Sequence, residues 1–300
     1  MDEPRFCHVE DVNCRTVARR VSAGYRALPV GFPMAFLKSL IKGTPIEAPT
    51  RFVYRALTGR GGAKPRKSGQ ATEWKEREQR DTANIERVLH AALTETSNCL
   101  DVGANEGVFL RQFLHFAPRG HHHAFEPIAP LAVKLKENFP TVDVRQCALG
   151  AATGRANFCF VPTRPAWSGL RTQPYPEPVQ PQEIEVEIFR LDDLLPADWR
   201  VDFIKIDVEG AELEVLEGAV ETIKRTRSQI LFEHARIHNT SYATTPADIH
   251  ALLSERCGLQ LYCLDGTGPL TSEALTAIYD RSHASGYDRF AQTNFLARPG

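Results

Sequence analysis

Residues 203–212 read FIKIDVEGAE, an apolar stretch that ends in acidic residues and glycine. Residues 101–107 read DVGANEG and have the same design at the end of an earlier apolar run. Both patterns are typical of a buried parallel strand that leads into a helix. Ligands of open α/β sheets bind outside the carboxyl ends of such strands, so we expect both segments to border one pocket. Residues 101–107 would face a nucleotide-like cofactor, and residues 203–212 would carry the chemistry.

Strand-like and helical patterns alternate along the rest of the chain, which predicts a doubly wound α/β sheet. Core strands are expected at residues 99–102, 123–125, 142–147, 203–206, 229–232, 259–264 and 294–297. Helices are expected at residues 71–93, 108–116, 131–139, 211–224 and 246–255. Two further strands, at 155–161 and 183–189, flank a proline-rich loop at 162–181.

The composition is that of an ordinary globular protein, with 42% hydrophobic and 24% charged residues among 300. The formal net charge of −1 gives no field that would attract nucleic acid. The seven cysteines form no CxxC pair, which favours a reducing compartment. Neither a secretory signal nor a membrane span is predicted. We therefore expect a cytoplasmic protein.

Two acidic residues indicate the kind of cofactor. Glu126 lies 19 residues after Gly107, at the end of the second predicted strand, where a carboxylate can accept both hydroxyl protons of a ribose. Asp101 ends the first strand, where it would repel the pyrophosphate of NAD. An acid at this position suits a cationic ligand better, such as the ammonium group of S-adenosylmethionine.

Several sequence blocks carry a family resemblance: DVGANEG at 101–107, FEP at 125–127, ALG at 148–150, LDDL at 191–194 and IKIDVEGAE at 204–212. In order and spacing they resemble the FkbM family of S-adenosylmethionine-dependent methyltransferases. The resemblance implies a class I, Rossmann-like methyltransferase fold, with seven strands in the order 3-2-1-4-5-7-6 and the last strand antiparallel. It also implies O-methylation of a hydroxyl on a small metabolite, natural product or saccharide.

The resemblance divides the chain into two parts. Residues 96–300 would form the methyltransferase domain, and residues 1–95 an N-terminal, mostly helical extension with a linker at 59–69. The cofactor-binding residues that it implies are Asp101, Gly103, Asn105 and Gly107 for the methionine part, Glu126 for the ribose, Cys147 and Ala148 for the adenine, and Asp207 for the sulfonium.

The catalytic residues are expected at the ends of the fourth and fifth core strands. A hydroxyl acceptor must lose a proton, so a base is useful, and Asp207, Glu233 and His234 are the candidates. The same three residues would suit a divalent metal, which the sequence does not favour. Lys205 lies within an apolar strand and is expected to pair with Asp207, keeping it ionised. Glu209 is a further candidate base, whereas Glu212 is expected to be structural.

Other interpretations stay open at this point. Trp167 and Tyr175 in the proline-rich loop would form either a wall against the acceptor or a surface flap. The protein as a whole would be a methyltransferase, a non-catalytic scaffold that retains the cofactor site, or, less in keeping with Asp101, an NAD-dependent oxidoreductase.

Overall fold

The structure is a computed structural model that describes residues 68–175, 177–236, 238–284 and 292–300. Most of the predicted N-terminal extension lies outside the described residues. So does the predicted linker at 59–69, except for its last two residues, which begin the first helix. None of the helices in the described ranges is long and apolar enough to cross a bilayer.

The described chain contains ten strands and eight α-helices. The strands are β1 Cys99–Val102, β2 His123–Phe125, β3 Asp143–Arg145, β4 Ala148–Leu149, β5 Gly154–Phe160, β6 Gln182–Phe189, β7 Phe203–Ile206, β8 Gln229–Glu233, β9 Leu259–Cys263 and β10 Asn294–Pro299. The helices are α1 Ser68–Ala92, α2 Val108–Phe116, α3 Ala129–Asn138, α4 Leu191–Leu194, α5 Glu212–Glu217, α6 Val220–Thr226, α7 Pro246–His250 and α8 Ser272–Ala284.

Seven strands form the central sheet in the order β3-β2-β1-β7-β8-β10-β9. Strand β10 runs antiparallel to both β8 and β9, whereas the other pairs are parallel. Counted along the chain within this sheet, the order is 3-2-1-4-5-7-6 with an antiparallel last strand, which confirms the predicted fold. The order reverses beside β1, so the crevice at the carboxyl ends of β1 and β7 is where a ligand is expected.

The two faces of the sheet bury separate apolar cores. Leu100, Ile204 and Phe232 point to one face and pack with residues of α5, α6 and α7. Cys99 and Phe203 point to the other face and pack with residues of α1 and α2. Because side chains alternate along a strand, Asp101 and Lys205 share this second face with Cys99 and Phe203.

Several predicted boundaries differ from the structure by a few residues, and three predicted elements differ in kind or extent. The third core strand ends at Arg145 rather than at residue 147, since Ala148 and Leu149 pair with β6 in a second sheet of order β4-β6-β5. The helix predicted at 211–224 divides into α5 and α6, because the Asp192 carboxylate accepts the first free N–H groups of α6. The helix predicted at 246–255 continues past α7 as a π-helical segment, Ala251–Arg256.

Candidate active site

A cavity of about 60 Å³ lies outside the carboxyl ends of β1, β2 and β7. Glu126 lines it after β2, and Asp207 and Glu209 line it after β7, on the other side of β1 in the sheet. The described lining also includes the predicted residues Gly103, Asn105, Cys147 and Ala148, whereas Asp101 and Gly107 are not part of it. The topology thus brings most of the predicted site residues together at the expected edge.

Glu126 is fixed by the backbone around it. Its Oε2 accepts the N–H of Asn105 at 2.8 Å, and its Oε1 accepts the N–H of Ile128 at 2.9 Å. Burial raises the pKa of Glu126 to about 7, although both hydrogen bonds act in the opposite direction. Each carboxyl oxygen keeps a second lone pair, so a diol can still be bound in the cavity.

The two glycines of the first motif make room for protein atoms. Gly103 has φ +74°, and a Cβ there would lie 2.0 Å from the carbonyl oxygen of Asp207. Gly107 has φ +73°, and a Cβ there would lie 2.4 Å from the Phe139 ring. Gly103 therefore allows the turns after β1 and β7 to touch, and Gly107 allows α3 to pack under the start of α2.

Much of the cavity lining is apolar. It includes Ile128, Cys147, Leu149, Phe158 and Leu170. Burial raises the pKa of the Cys147 thiol to about 11, so this side chain is neutral and acts as part of the apolar wall. A cavity with this apolar lining and a buried carboxyl suits a heterocycle joined to a ribose.

The proline-rich loop covers the cavity. A short 3₁₀ turn, Pro165–Trp167, places Pro165, Ala166 and Ser168 in the cavity lining. The buried Trp167 ring stacks on Tyr175, with ring centroids 6.1 Å apart. Gln173 Nε2 donates to the carbonyl oxygen of Trp167 and to Glu209 Oε2, at 3.2 and 2.9 Å. The loop is thereby joined to the acidic end of the site.

Lys205 pairs with Asp207, as predicted, but lies closer to Asp101, which the sequence interpretation did not name as its partner. Its Nζ lies 3.1 Å from Asp101 Oδ1 and 4.0 Å from Asp207 Oδ2. The reason is the register, because Lys205 lies directly beside Asp101 on the neighbouring strand. Burial tends to lower the pKa of Lys205, but the charges of Asp101 and Asp207 outweigh it and raise that pKa.

The carboxyl groups of Asp207 and Glu233 lie close together at the ends of β7 and β8. This was predicted from their positions at the ends of neighbouring strands. Burial raises the pKa of Asp207 to about 6, whereas Lys205 and a hydrogen bond with Glu233 oppose this shift. Asp207 is therefore ionised for the most part at neutral pH, but it binds a proton far more readily than an exposed aspartate.

His238 completes the acidic end of the site and was missed by the sequence interpretation. Its Nε2 lies 3.4 Å from Glu209 Oε2, and its Nδ1 lies 3.6 Å from Glu233 Oε2. Burial, with the charge of Asp207, raises the pKa of Glu209 well above its usual value. Ligand atoms of Glu209, Glu233 and His238 lie within 4.8 Å of one another, so this set, rather than one with His234, has the composition of a divalent-ion site.

His234 has different surroundings. Its ring stacks on Tyr279 at 4.7 Å, and its Nδ1 lies 2.9 Å from Asn239 Nδ2. Burial lowers the pKa of His234 to about 4, so the ring is neutral at physiological pH. Glu212 is structural, as predicted, since its Oε1 accepts the N–H groups of Gly210 and Val208.

The sheet order and the position of the site define a class I methyltransferase fold. A family model described as "Methyltransferase FkbM domain" matches residues 101–261, more than half of the chain. The chain therefore belongs to the FkbM methyltransferase domain family.

Individual relatives match parts of the chain. Methyltransferase sdnD of Sordaria araneosa is 30% identical over 156 residues, which are 41% of this chain and 60% of that protein. The 2-O-methyltransferase NoeI of Sinorhizobium fredii is 32% identical over 146 residues, which are 43% of this chain and 59% of that protein. The chain thus spans about three fifths of the length of these relatives.

Among solved structures, a methyltransferase FkbM from Methylobacillus flagellatus KT is 19% identical and aligns with a TM-score of 0.42. The alignment covers 68% of this chain and 44% of that one.

Proposed function

We propose that this protein is an S-adenosylmethionine-dependent O-methyltransferase that acts on a hydroxyl of a small metabolite, natural product or saccharide. The observation that carries the proposal is that one cavity is lined both by Glu126, which follows β2, and by Asp207 and Glu209, which follow β7 on the other side of β1. Family membership supports the reaction type, and the name of the relative NoeI supports an oxygen acceptor.

The charge of the site supports a cationic cofactor. Six carboxyl side chains are nearly or fully buried in and around the cavity, namely Asp101, Glu126, Asp207, Glu209, Glu212 and Glu233. Within the described part of the chain, Lys205 is the lysine buried among them. A sulfonium and an ammonium would supply positive charge that this cluster lacks, whereas a pyrophosphate would add negative charge. The residues therefore fit S-adenosylmethionine and not NAD.

Glu126 would hold the ribose hydroxyls, and the apolar lining with Cys147 and Ala148 would hold the adenine. Asn105 and Gly103 would border the methionine part, while Asp101 would act through Lys205. Asp207 would face the sulfonium. S-adenosylmethionine supplies an electrophilic methyl group, and the protein supplies position and electrostatics.

The acidic end would manage the proton of the acceptor. A hydroxyl that attacks the methyl carbon must lose its proton during or near the transfer. Asp207 is the base that we propose, because it borders the cavity and its pKa of about 6 lies near the working pH. Glu233 would share the proton through its hydrogen bond with Asp207, and His238 would hold Glu233 and Glu209 in place. His234 would act indirectly, by supporting this cluster.

The proline-rich loop would have to move when the cofactor enters. Ligand pockets usually measure about 300–1,000 Å³. The present cavity of about 60 Å³ is smaller, and residues 165–170 form its cover. Outward movement of this loop would admit the cofactor, and its return would exclude water from the methyl group.

A transfer assay tests the proposal. S-adenosylmethionine labelled in its methyl group is incubated with hydroxylated small molecules, including sugars, in a cytoplasm-like neutral buffer with and without Mg²⁺. We expect labelled product with the wild type in either buffer. With Asp207→Asn we expect the rate of methyl transfer to fall by about 100-fold or more. Tight cofactor binding without transfer to any acceptor would favour a non-catalytic scaffold, and thermal stabilisation by NAD alone would favour an oxidoreductase.

A further inference from the structure

One side chain of the proline-rich loop is buried where its neighbours are not. Gln173 is 7% exposed, whereas Thr172 and Pro174 on either side of it are exposed. A buried amide group has to form its hydrogen bonds within the protein. The contacts of Gln173 therefore show what this part of the loop is built to hold.

Both hydrogens of the Gln173 amide nitrogen have an acceptor. Nε2 lies 3.2 Å from the carbonyl oxygen of Trp167 and 2.9 Å from Glu209 Oε2. A carbonyl oxygen and an ionised carboxylate can only accept, so the nitrogen end of the amide has to face them. Gln173 thus joins the turn that covers the cavity to a carboxyl group in the cavity lining.

Glu209 is held next to this loop in an unusual backbone conformation. Its φ of +57° lies in the left-handed region, which costs a non-glycine residue free energy. Gly169 of the loop lies so close that a Cβ there would be 3.3 Å from the Cβ of Glu209. Strain of this kind persists where the surrounding structure fixes it, and the loop is part of that structure here.

The same loop also contacts the 3₁₀ turn His238–Ser241, which begins with the histidine of the acidic end. Arg171 Nη1 donates to the carbonyl oxygen of Ser241 at 2.9 Å. The hydroxyl of Ser241 donates in return to the carbonyl oxygen of Thr172. The loop therefore touches both the glutamate and the turn that carries its histidine partner.

The hydrogen bond from Gln173 acts on the charge of Glu209. Burial raises the pKa of Glu209 most, and the charges of Asp207 and Glu212 add to this rise. The hydrogen bond from Gln173 and the charge of Lys205 lower the same pKa. Loss of the Gln173 donor would therefore favour the neutral form of Glu209.

The charge of Glu209 reaches the proposed base through His238. Glu209 Oε2 lies 3.4 Å from His238 Nε2, and His238 Nδ1 lies 3.6 Å from Glu233 Oε2. An ionised Glu209 favours the protonated form of His238, because opposite charges stabilise each other. That positive charge would lie beside Glu233, which is hydrogen-bonded to Asp207.

We propose that Gln173 is a positioning residue for methyl transfer, which holds the Glu209 carboxylate beside His238 while the loop covers the cavity. Covering the cofactor and arranging the acidic end would then be one event. Gln173 is not part of the cavity lining, so it acts through Glu209. The inference rests on the proposed function for the reaction, whereas the contact between Gln173 and Glu209 is tested without any transfer.

Limited digestion with trypsin tests the contact in the absence of cofactor and acceptor. Cleavage after Arg171 requires the loop to leave its contacts, so we expect Gln173→Leu to be cleaved about tenfold faster than the wild type. Adding Glu209→Leu should have little further effect, because both changes remove the same link. Gln180→Leu is the matched control, since Gln180 is an exposed glutamine of the same loop. Cleavage of Gln173→Leu at the wild-type rate would overturn the proposal.

The kinetics of methyl transfer separate positioning from a general structural role. Gln173→Leu should lower kcat about tenfold or more, with a smaller change in the Kd of S-adenosylmethionine. In Gln173→Glu, a proton shared with Glu209 can replace the amide hydrogen at low pH, whereas two ionised carboxylates repel each other at higher pH. The kcat of Gln173→Glu relative to the wild type should therefore fall between about pH 6 and 8. The corresponding ratio for Gln173→Leu should change much less.

The outcomes distinguish the positioning role from the proposed function. An unchanged kcat in Gln173→Leu, or the same pH-independent loss in both variants, would overturn the positioning role while methyl transfer stands. Absence of transfer by the wild type would overturn the proposed function and the role in transfer with it. Faster tryptic cleavage of Gln173→Leu would in that case still support the link between the loop and Glu209.

Discussion

Lys205 Nζ lies 3.1 Å from Asp101 Oδ1, and both side chains are almost wholly buried between the ends of β1 and β7. The same ammonium group donates to the carbonyl oxygen of Gly103 at 2.7 Å. The Lys205 side chain thus connects the segment at residues 204–212 to the segment at residues 101–107. It also supplies positive charge where several carboxyl groups are buried.

Removal of this charge is expected to destabilise the protein. Lys205→Met would leave Asp101 buried without its partner, which typically costs about 3–5 kcal/mol. Urea unfolding measures the loss, with Lys224→Met as control because Lys224 is half-exposed and forms a weak pair with Glu221. The double variant Lys205→Met/Asp101→Asn should recover much of the loss. A loss below about 1 kcal/mol, the level of a surface pair, would contradict this account.

Gly103→Ala is expected to cost about 2–4 kcal/mol, because alanine is strained at φ +74° and its Cβ would overlap the carbonyl oxygen of Asp207. Gly154→Ala is the matched control, since a Cβ at Gly154 meets no atom within 4 Å. Thermal and urea unfolding compare the two variants. If both variants are equally stable, the close contact between the turns after β1 and β7 is not required for stability.

The buried carboxyl groups are expected to contribute less to stability as the pH rises from about 4 to 7. The pKa of Asp207 rises to about 6 and those of Glu126 and Glu212 to about 7 in the folded protein, because all three are buried. The folded state therefore binds more protons than the unfolded state in this window, and each added pH unit lowers the free energy of unfolding. Urea titrations between pH 4 and 8 measure this slope. Glu126→Gln should reduce this slope. An unchanged slope would contradict the proposal that burial raises the pKa of Glu126.

Catalysis is expected to depend on His238 as well as on Asp207. His238→Asn would remove the contacts to Glu209 and Glu233, so we expect kcat to fall about 10-fold or more and its pH dependence to shift. Binding of S-adenosylmethionine should change little, because His238 does not border the cofactor cavity. A parallel loss of cofactor binding would indicate a general structural role instead. An activity that metal chelators abolish would favour the metal interpretation of Glu209, Glu233 and His238.

The loop over the cofactor cavity gives a further prediction. Arg171, which is followed by Thr172, is a trypsin site in this loop, and its Nη1 donates outside the loop to the carbonyl oxygen of Ser241. If the loop opens for the cofactor and closes again, S-adenosylmethionine should slow tryptic cleavage after Arg171. Trp167→Ala would remove the stacking on Tyr175 and should reduce this protection. Identical cleavage with and without cofactor would show that the loop does not close over it.

The sheet could be predicted from sequence because its central strands are buried on both faces and read as short apolar runs. β1, β2 and β7 have the predicted boundaries. The third strand was predicted too long, since Cys147, Ala148 and Leu149 continue the apolar run. The pairing of Ala148 and Leu149 with β6 is non-local and leaves no local signal.

The site was only partly predictable for a similar reason. Acids at strand ends can be recognised by their position, so Glu126, Asp207 and Glu233 were found. His238 lies in a loop after β8, and its approach to Glu209 depends on how that loop folds back over the end of β7. Helix α8 was also missed, because no motif in the sequence marks it.

Calorimetric titration of S-adenosylmethionine into the wild type and Glu126→Ala tests the central claim most directly. The cavity between Glu126 and Asp207 is proposed as the cofactor site, so the wild type should bind. Loss of a carboxyl that receives two ribose hydroxyls should weaken binding about tenfold or more. Absence of binding to the wild type, or equal binding by both proteins, would contradict the assignment of this cavity to S-adenosylmethionine.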